Sequence, residues 1–170
     1  MRAPLDQRAP WPGVAGLLVS LVSALLVEAV AARLFGAGAA FPNFVLIALF
    51  IWSIRRPLFI SPPLILLTGL LHDLFAGGPL GVLALAYLAA FAIARDREAD
   101  GLGADFGPMA ARFTVLTAIT TLAAWTAGSA ATGFPAPLGA LITEGVLTIL
   151  VFAAFGWAFA RRKERTAFFG

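Results

Sequence analysis

Cysteine is absent from this chain, which excludes a disulfide framework, a thiolate metal site and a cysteine nucleophile. Histidine occurs once, as His72, too few for a histidine-based metal site. Charge is also scarce. Only 12% of the residues are Asp, Glu, Lys or Arg, against roughly 25% in soluble domains, whereas 61% are hydrophobic. A soluble chain of 170 residues with that balance has too little polar surface to cover its core. A bilayer removes the requirement. The expected fold class is therefore an all-α integral membrane protein, a six-helix transmembrane bundle with both ends in the cytoplasm and no second domain.

Six apolar segments carry that expectation: residues 13–35, 42–54, 58–76, 79–94, 108–128 and 137–160. The first is long enough to cross a core of about 30 Å at about 1.5 Å per residue. It follows Arg2 and Arg8 and precedes an Ala37-Gly38-Ala39 pattern, as in a cleaved signal. However, it exceeds the usual apolar length of about 7–15 residues, and Glu28 interrupts it, so it reads as a retained span. The second segment is short. Pro62 and Pro63 fall in the first turn of the third, where a missing N–H costs least. Pro79 starts the fourth, after Gly77-Gly78.

Lys and Arg set the orientation. With six spans and the N-terminus inside, Arg2, Arg8, Arg55, Arg56, Arg95, Arg97, Arg112, Arg161, Arg162, Lys163 and Arg165 are cytoplasmic, and only Arg33 is outside. The high pI is thus an orientation signal and not a nucleic-acid footprint. Trp11, Trp52 and Trp157 fall near inner ends and Trp125 near an outer end, at interfacial depths that suit an indole.

Placed by depth, the three membrane-embedded acids share one leaflet, although they come from three helices. Glu28, His72, Asp73 and Glu144 all lie toward the outer ends of their helices, with Arg33 and Asn43 flanking them. Intramembrane charges are costly, about 2.5–3.5 kcal/mol each on insertion scales, and usually face a bundle interior or a wet cavity. Two readings stand: an outward-opening polar pocket or partner-docking surface, and acids neutralised singly or snorkelling to the interface. Asp73 has a further option, since it can accept hydrogen bonds from the free N–H groups at the start of the fourth helix.

Catalytic motifs are missing. No Gly-x-Ser-x-Gly elbow surrounds Ser129, and Gly101-Leu102-Gly103-Ala104-Asp105 follows no strand and forms no phosphate loop. Neither an enzyme nor a cofactor is expected. Small-residue faces at Ala86, Ala90 and Ala94, at Thr114, Thr117 and Thr121, and at Gly156 and Ala160 predict close helix packing. Arg161-Arg162-Lys163 reads as a solvated anchor or a contact with anionic lipid.

The stretch from Pro42 to Arg95 carries an ordered set of features. Pro42-Asn43 opens a short apolar helix with Trp52, and Arg56-Pro57 follows. Next come Gly69-Leu70-Leu71-His72-Asp73-Leu74, then Gly77-Gly78-Pro79-Leu80-Gly81, then Ala84-Leu85-Ala86-Tyr87. In order and spacing this stretch resembles the rod shape-determining protein MreD of bacteria. The resemblance implies a non-enzymatic inner-membrane part of the cell-elongation machinery that makes peptidoglycan. Its implied partners are the single-span periplasmic protein MreC, the glycosyltransferase RodA with its transpeptidase, and MreB filaments. Pro42, Asn43, Gly69, Asp73, Gly77 and Gly81 within this stretch, together with Glu28 and Glu144 singled out by depth, are the candidate structural or partner-binding residues. The family fold is similar to the substrate-binding subunits of energy-coupling-factor transporters, so a vitamin- or solute-capturing subunit is the alternative. The outer loops 36–41 and 129–136 are short and rich in Gly and Ala, with little to grip a vitamin.

Because the chain has no cysteine, single cysteines report topology without background. At Asp100 and Arg165 they are expected to be shielded from an impermeant thiol reagent in intact cells, and at Thr132 labelled. Labelling of position 100 from outside would rule out six spans.

Overall fold

In a computed structural model the described residues are 11–36, 40–55, 59–95 and 106–167, with backbone alone at 11–12, 55, 94–95 and 157–167. Arg2, Arg8, Ala37-Gly38-Ala39, Arg56-Pro57, Arg97 and Gly101–Asp105 lie outside them, as do the side chains of Trp11, Ala94, Trp157, Ala160 and Arg161-Arg162-Lys163. The described residues form six α-helices: α1 (Trp11–Phe35), α2 (Phe44–Arg55), α3 (Pro62–Ala76), α4 (Val82–Arg95), α5 (Phe106–Thr132) and α6 (Leu138–Ala167). No strand occurs among the described residues.

Three stretches, Gly13–Phe35, Phe106–Thr132 and Leu138–Gly156, are long and apolar enough to cross a membrane. The other three helices are apolar but short, at 12, 15 and 14 residues. At 1.5 Å per residue they reach only about 18–23 Å, less than a hydrocarbon core of about 30 Å. Large apolar side chains stand on the outside of the bundle, among them Val19 at 68%, Leu34 at 72% and Leu122 at 62% exposure. Apolar surface on that scale suits lipid and not water.

Local chemistry moves several helix ends from where hydropathy alone places them. Helix α2 begins after Asn43 and not at Pro42, because Asn43 Oδ1 accepts the Leu46 N–H at 2.8 Å and so acts as the N-cap. Helix α3 begins at Pro62, with Ser61 extended before it and the two prolines in its first turn. Its end is set by Gly77, whose left-handed backbone (φ +71°) lets its N–H reach Asp73 O. Helix α4 starts at Val82 and not at Pro79. Gly81 holds φ +96°, which breaks helical geometry before that point.

Helix α2 is packed against α1, α3 and α6. Its Val45, Leu46 and Leu49 are almost wholly buried. One core layer is aromatic. Phe50 of α2 packs against Phe113 of α5 and Phe152 of α6, with ring centroids 4.1–5.4 Å apart. Trp52 Nε1 donates to Ser20 Oγ at 2.8 Å, tying α2 to α1. Trp125 Nε1 donates to Ala136 O at 3.2 Å and closes the α5–α6 connection.

Small residues set the closest approaches. Gly156 lies under the Phe106 ring, and Gly145 faces Thr121 and Thr117. The threonine face of α5 differs from expectation. Its buried line is Phe113, Leu116, Thr117, Thr120 and Ala124, while Thr114 is exposed. A 3.6-residue period turns Thr114 away and brings in Thr120, whose hydroxyl, like that of Thr117, returns to its own helix backbone.

At the α3–α4 contact, backbone meets backbone. A Cβ at Gly69 would meet Ala84 N at 2.7 Å and Ala84 Cβ at 3.0 Å, and backbone cannot yield as a side-chain tip can. Gly69→Ala is therefore expected to destabilise the fold by about 1–3 kcal/mol, the usual cost of overpacking. Thermal unfolding in detergent would check this. Gly139→Ala, where nothing lies within 4 Å, is the neutral control.

Candidate functional site: a buried polar network at one end of the bundle

The start of α2 is the anchor of the site. A helix leaves its first N–H groups without intrahelical acceptors, and burial removes water as a substitute. Besides the Asn43 cap, Val45 N–H donates to Glu28 Oε1 of α1 at 3.0 Å. The backbone N–H of Asn43 itself donates to Thr148 Oγ1 of α6 at 2.8 Å. That hydroxyl in turn donates to Glu144 O at 2.7 Å.

Side chains then link outward. Tyr87 of α4, fully buried, donates its hydroxyl to Asn43 Oδ1 at 2.9 Å. His72 Nδ1 of α3 lies 2.7 Å from the same hydroxyl. On its other side, His72 Nε2 is 2.6 Å from Glu28 Oε2, a buried oxygen with no hydrogen-bond partner beyond this ion-pair contact. Glu28, His72, Tyr87 and Asn43 therefore form one line of polar contacts across α1, α3, α4 and α2.

Asp73 makes a second, adjoining construction. Its carboxylate accepts Gly81 N–H at 2.8 Å and Leu83 N–H at 3.0 Å, with Ala84 N at a marginal 3.5 Å. These are the free N–H groups at the start of α4, so Asp73 locks α3 and α4 as a hairpin. Only 2% of Asp73 is exposed, which places it inside the bundle and not at the interface.

A cavity of about 140 Å³ opens beside the network. Glu28, Pro42, Asn43, His72 and Glu144 line it, with Phe41 and Phe75 as apolar walls. Of the residues singled out in the sequence, Glu28, Pro42, Asn43 and Glu144 thus meet at one place, and Asp73, Gly77 and Gly81 build the adjoining turn. Gly69 acts one turn away, as the α3–α4 contact point. Arg33 is exposed and takes no part. Ser129 Oγ accepts Ala136 N–H in the α5–α6 turn.

Tyr87 and Thr148 belong to the network although neither stood out as a functional residue. Tyr87 is the only tyrosine, in an otherwise apolar helix, and a buried phenol needs a partner. Thr148 lies four residues beyond Glu144 and so shares its helix face. Among the described residues, no group of three or more His, Asp or Glu is placed to hold a metal. No family model, curated protein or solved structure matches the chain.

Asp73→Leu leaves two N–H groups at the start of α4 unpaired and is expected to cost on the order of 3 kcal/mol. Asp73→Asn keeps one acceptor oxygen and should lose only about 1 kcal/mol. Unfolding midpoints of the two purified variants would separate them. Equal losses would mean that the carboxylate does not cap α4.

Proposed function

We propose that this protein is a non-enzymatic scaffold of the bacterial inner membrane, of the MreD type, that holds parts of the cell-elongation machinery together. In this reading all six helices span the bilayer, both ends are cytoplasmic, and the polar network faces the periplasmic side. The partitioning of Lys and Arg supports that orientation.

One observation carries the functional reading. Asn43, His72, Asp73, Gly81 and Tyr87, which carry the resemblance, are also residues whose contacts join α2, α3 and α4. A catalytic motif would converge on a reacting atom. These residues instead converge on each other and on helix starts, which is what a rigid assembly platform needs. The expected partners are an MreC-like single-span protein, RodA with its transpeptidase, and MreB-type filaments.

A solute-capturing transporter subunit is the competing reading, and the cavity is the feature in its favour. Its volume of about 140 Å³ is well below the roughly 300–1,000 Å³ of ordinary small-molecule sites. The scaffold reading is the better supported.

Depletion of the protein in its native cell is expected to turn rods into spheres and to leave solute uptake unchanged. A pull-down from mildly solubilised membranes should recover a single-span periplasmic protein. A vitamin requirement with normal cell shape would establish the transport reading instead.

A further inference from the structure

The hydrogen-bond line from Asn43 to Glu28 fixes where its protons lie. Leu46 N–H donates to Asn43 Oδ1, so that atom is the amide oxygen and only accepts. Tyr87 Oη, 2.9 Å away, must place its single proton on this contact. The phenol oxygen then accepts from His72, 2.7 Å distant, so Nδ1 carries a proton. A neutral imidazole protonated at Nδ1 has a bare lone pair at Nε2. That nitrogen faces Glu28 Oε2 at 2.6 Å. Two bare acceptors at such a distance repel, and the contact requires a further proton between them.

We propose that the Glu28–His72 pair is a buried binding site for one proton, and that this proton latches the start of α2 onto α1 and α3. The proton can sit on the ring, giving imidazolium and carboxylate, or on Glu28, giving two neutral groups. Either way the pair has no net charge, the state that burial tolerates best. The latch follows from the two oxygens of Glu28. One contacts His72 and the other accepts the Val45 N–H. Without the proton, a carboxylate opposes the Nε2 lone pair. Glu28 turns into the cavity that it lines, and Val45 N–H loses its acceptor.

The other titratable groups around the pair are Asp73 on α3, Tyr87 on α4 and Glu144 on α6. Asp73 is engaged by the start of α4, and Tyr87 by Asn43. Glu144 shares the cavity that Glu28 and His72 line. Arg33 of α1 is exposed. The titratable residues of α2 and α5, Arg55 and Arg112, lie toward the opposite end.

His72 is the only histidine, so nitrogen-labelled histidine in the full-length protein in bilayers gives one ring to observe. The parent is expected to show a proton at Nδ1 and a second, shared proton at Nε2. In Glu28→Gln the side-chain amide donates to Nε2, and the ring becomes neutral with its proton on Nδ1. In Tyr87→Phe the Nδ1 contact is gone, and the ring becomes neutral with its proton on Nε2. A parent ring with a bare Nδ1 would overturn the proposal.

The latch has its own readout. Thiol labelling at Ala40→Cys, measured relative to Ala131→Cys, should rise as pH increases and Nε2 loses its proton. The expected change is roughly tenfold, as for loss of a hydrogen bond to a charged group. It should share the ring's midpoint and be absent when Glu28→Gln is added. If the ring keeps its proton to the highest pH reached, labelling should stay flat. A rise that does not follow the ring overturns the latch.

Discussion

Helices α2 and α4 both begin against neighbouring helices, and side chains of the bundle serve as acceptors for their first N–H groups. Everything distinctive about the polar residues follows from that constraint. An unpaired N–H in such surroundings costs several kcal/mol in hydrocarbon. The bundle supplies side-chain acceptors at both helix starts: Asn43 and Glu28 for Leu46 and Val45 of α2, Asp73 for Gly81 and Leu83 at α4. Acids that look expensive when counted as membrane charges are thus the groups that let two short helices start at depth. Their negative charge is also set against the positive ends of two helix dipoles, which offsets part of its desolvation.

The same constraint explains why the site is a network and not a set of pairs. Asn43 caps α2, accepts Tyr87 and donates to Thr148, so one residue connects three helices. Networks of this kind polarise one another and are costly to interrupt when buried. The apolar layer of Phe50, Phe113 and Phe152 holds α2, α5 and α6 together nearer the middle. Polar and aromatic layers fix the geometry at two heights, and Gly69 sets the spacing of α3 and α4 between them.

Much of this is legible in the sequence, because apolar runs and prolines mark six helices. The ends of those helices are less legible. Hydropathy continues through Pro79 and Leu80, and only the positive φ of Gly81 shows that they form a turn. The capping of α4 by Asp73 spans eight to ten residues and can be anticipated from the glycines between them. Glu28 to Val45 and Asn43 to Thr148 cannot, since nothing local in the chain says which helices become neighbours. The same holds for Tyr87: its need for a partner is visible in the sequence, but the partner's position is not.

The bond between Asn43 and Thr148 has a consequence for how the chain is made. The two residues are 105 apart, so the N–H of Asn43 has emerged long before its acceptor exists. At about 5–20 residues per second, synthesis leaves that interval open for roughly 5–20 s. During it the start of α2 must borrow another partner, whether lipid headgroup, water or insertion machinery. Arrival of α6 displaces that partner and completes the polar core. Helix α6 thereby closes this polar core, and a nascent chain halted short of Thr148 presents an open helix start to whatever surveys unfinished membrane proteins.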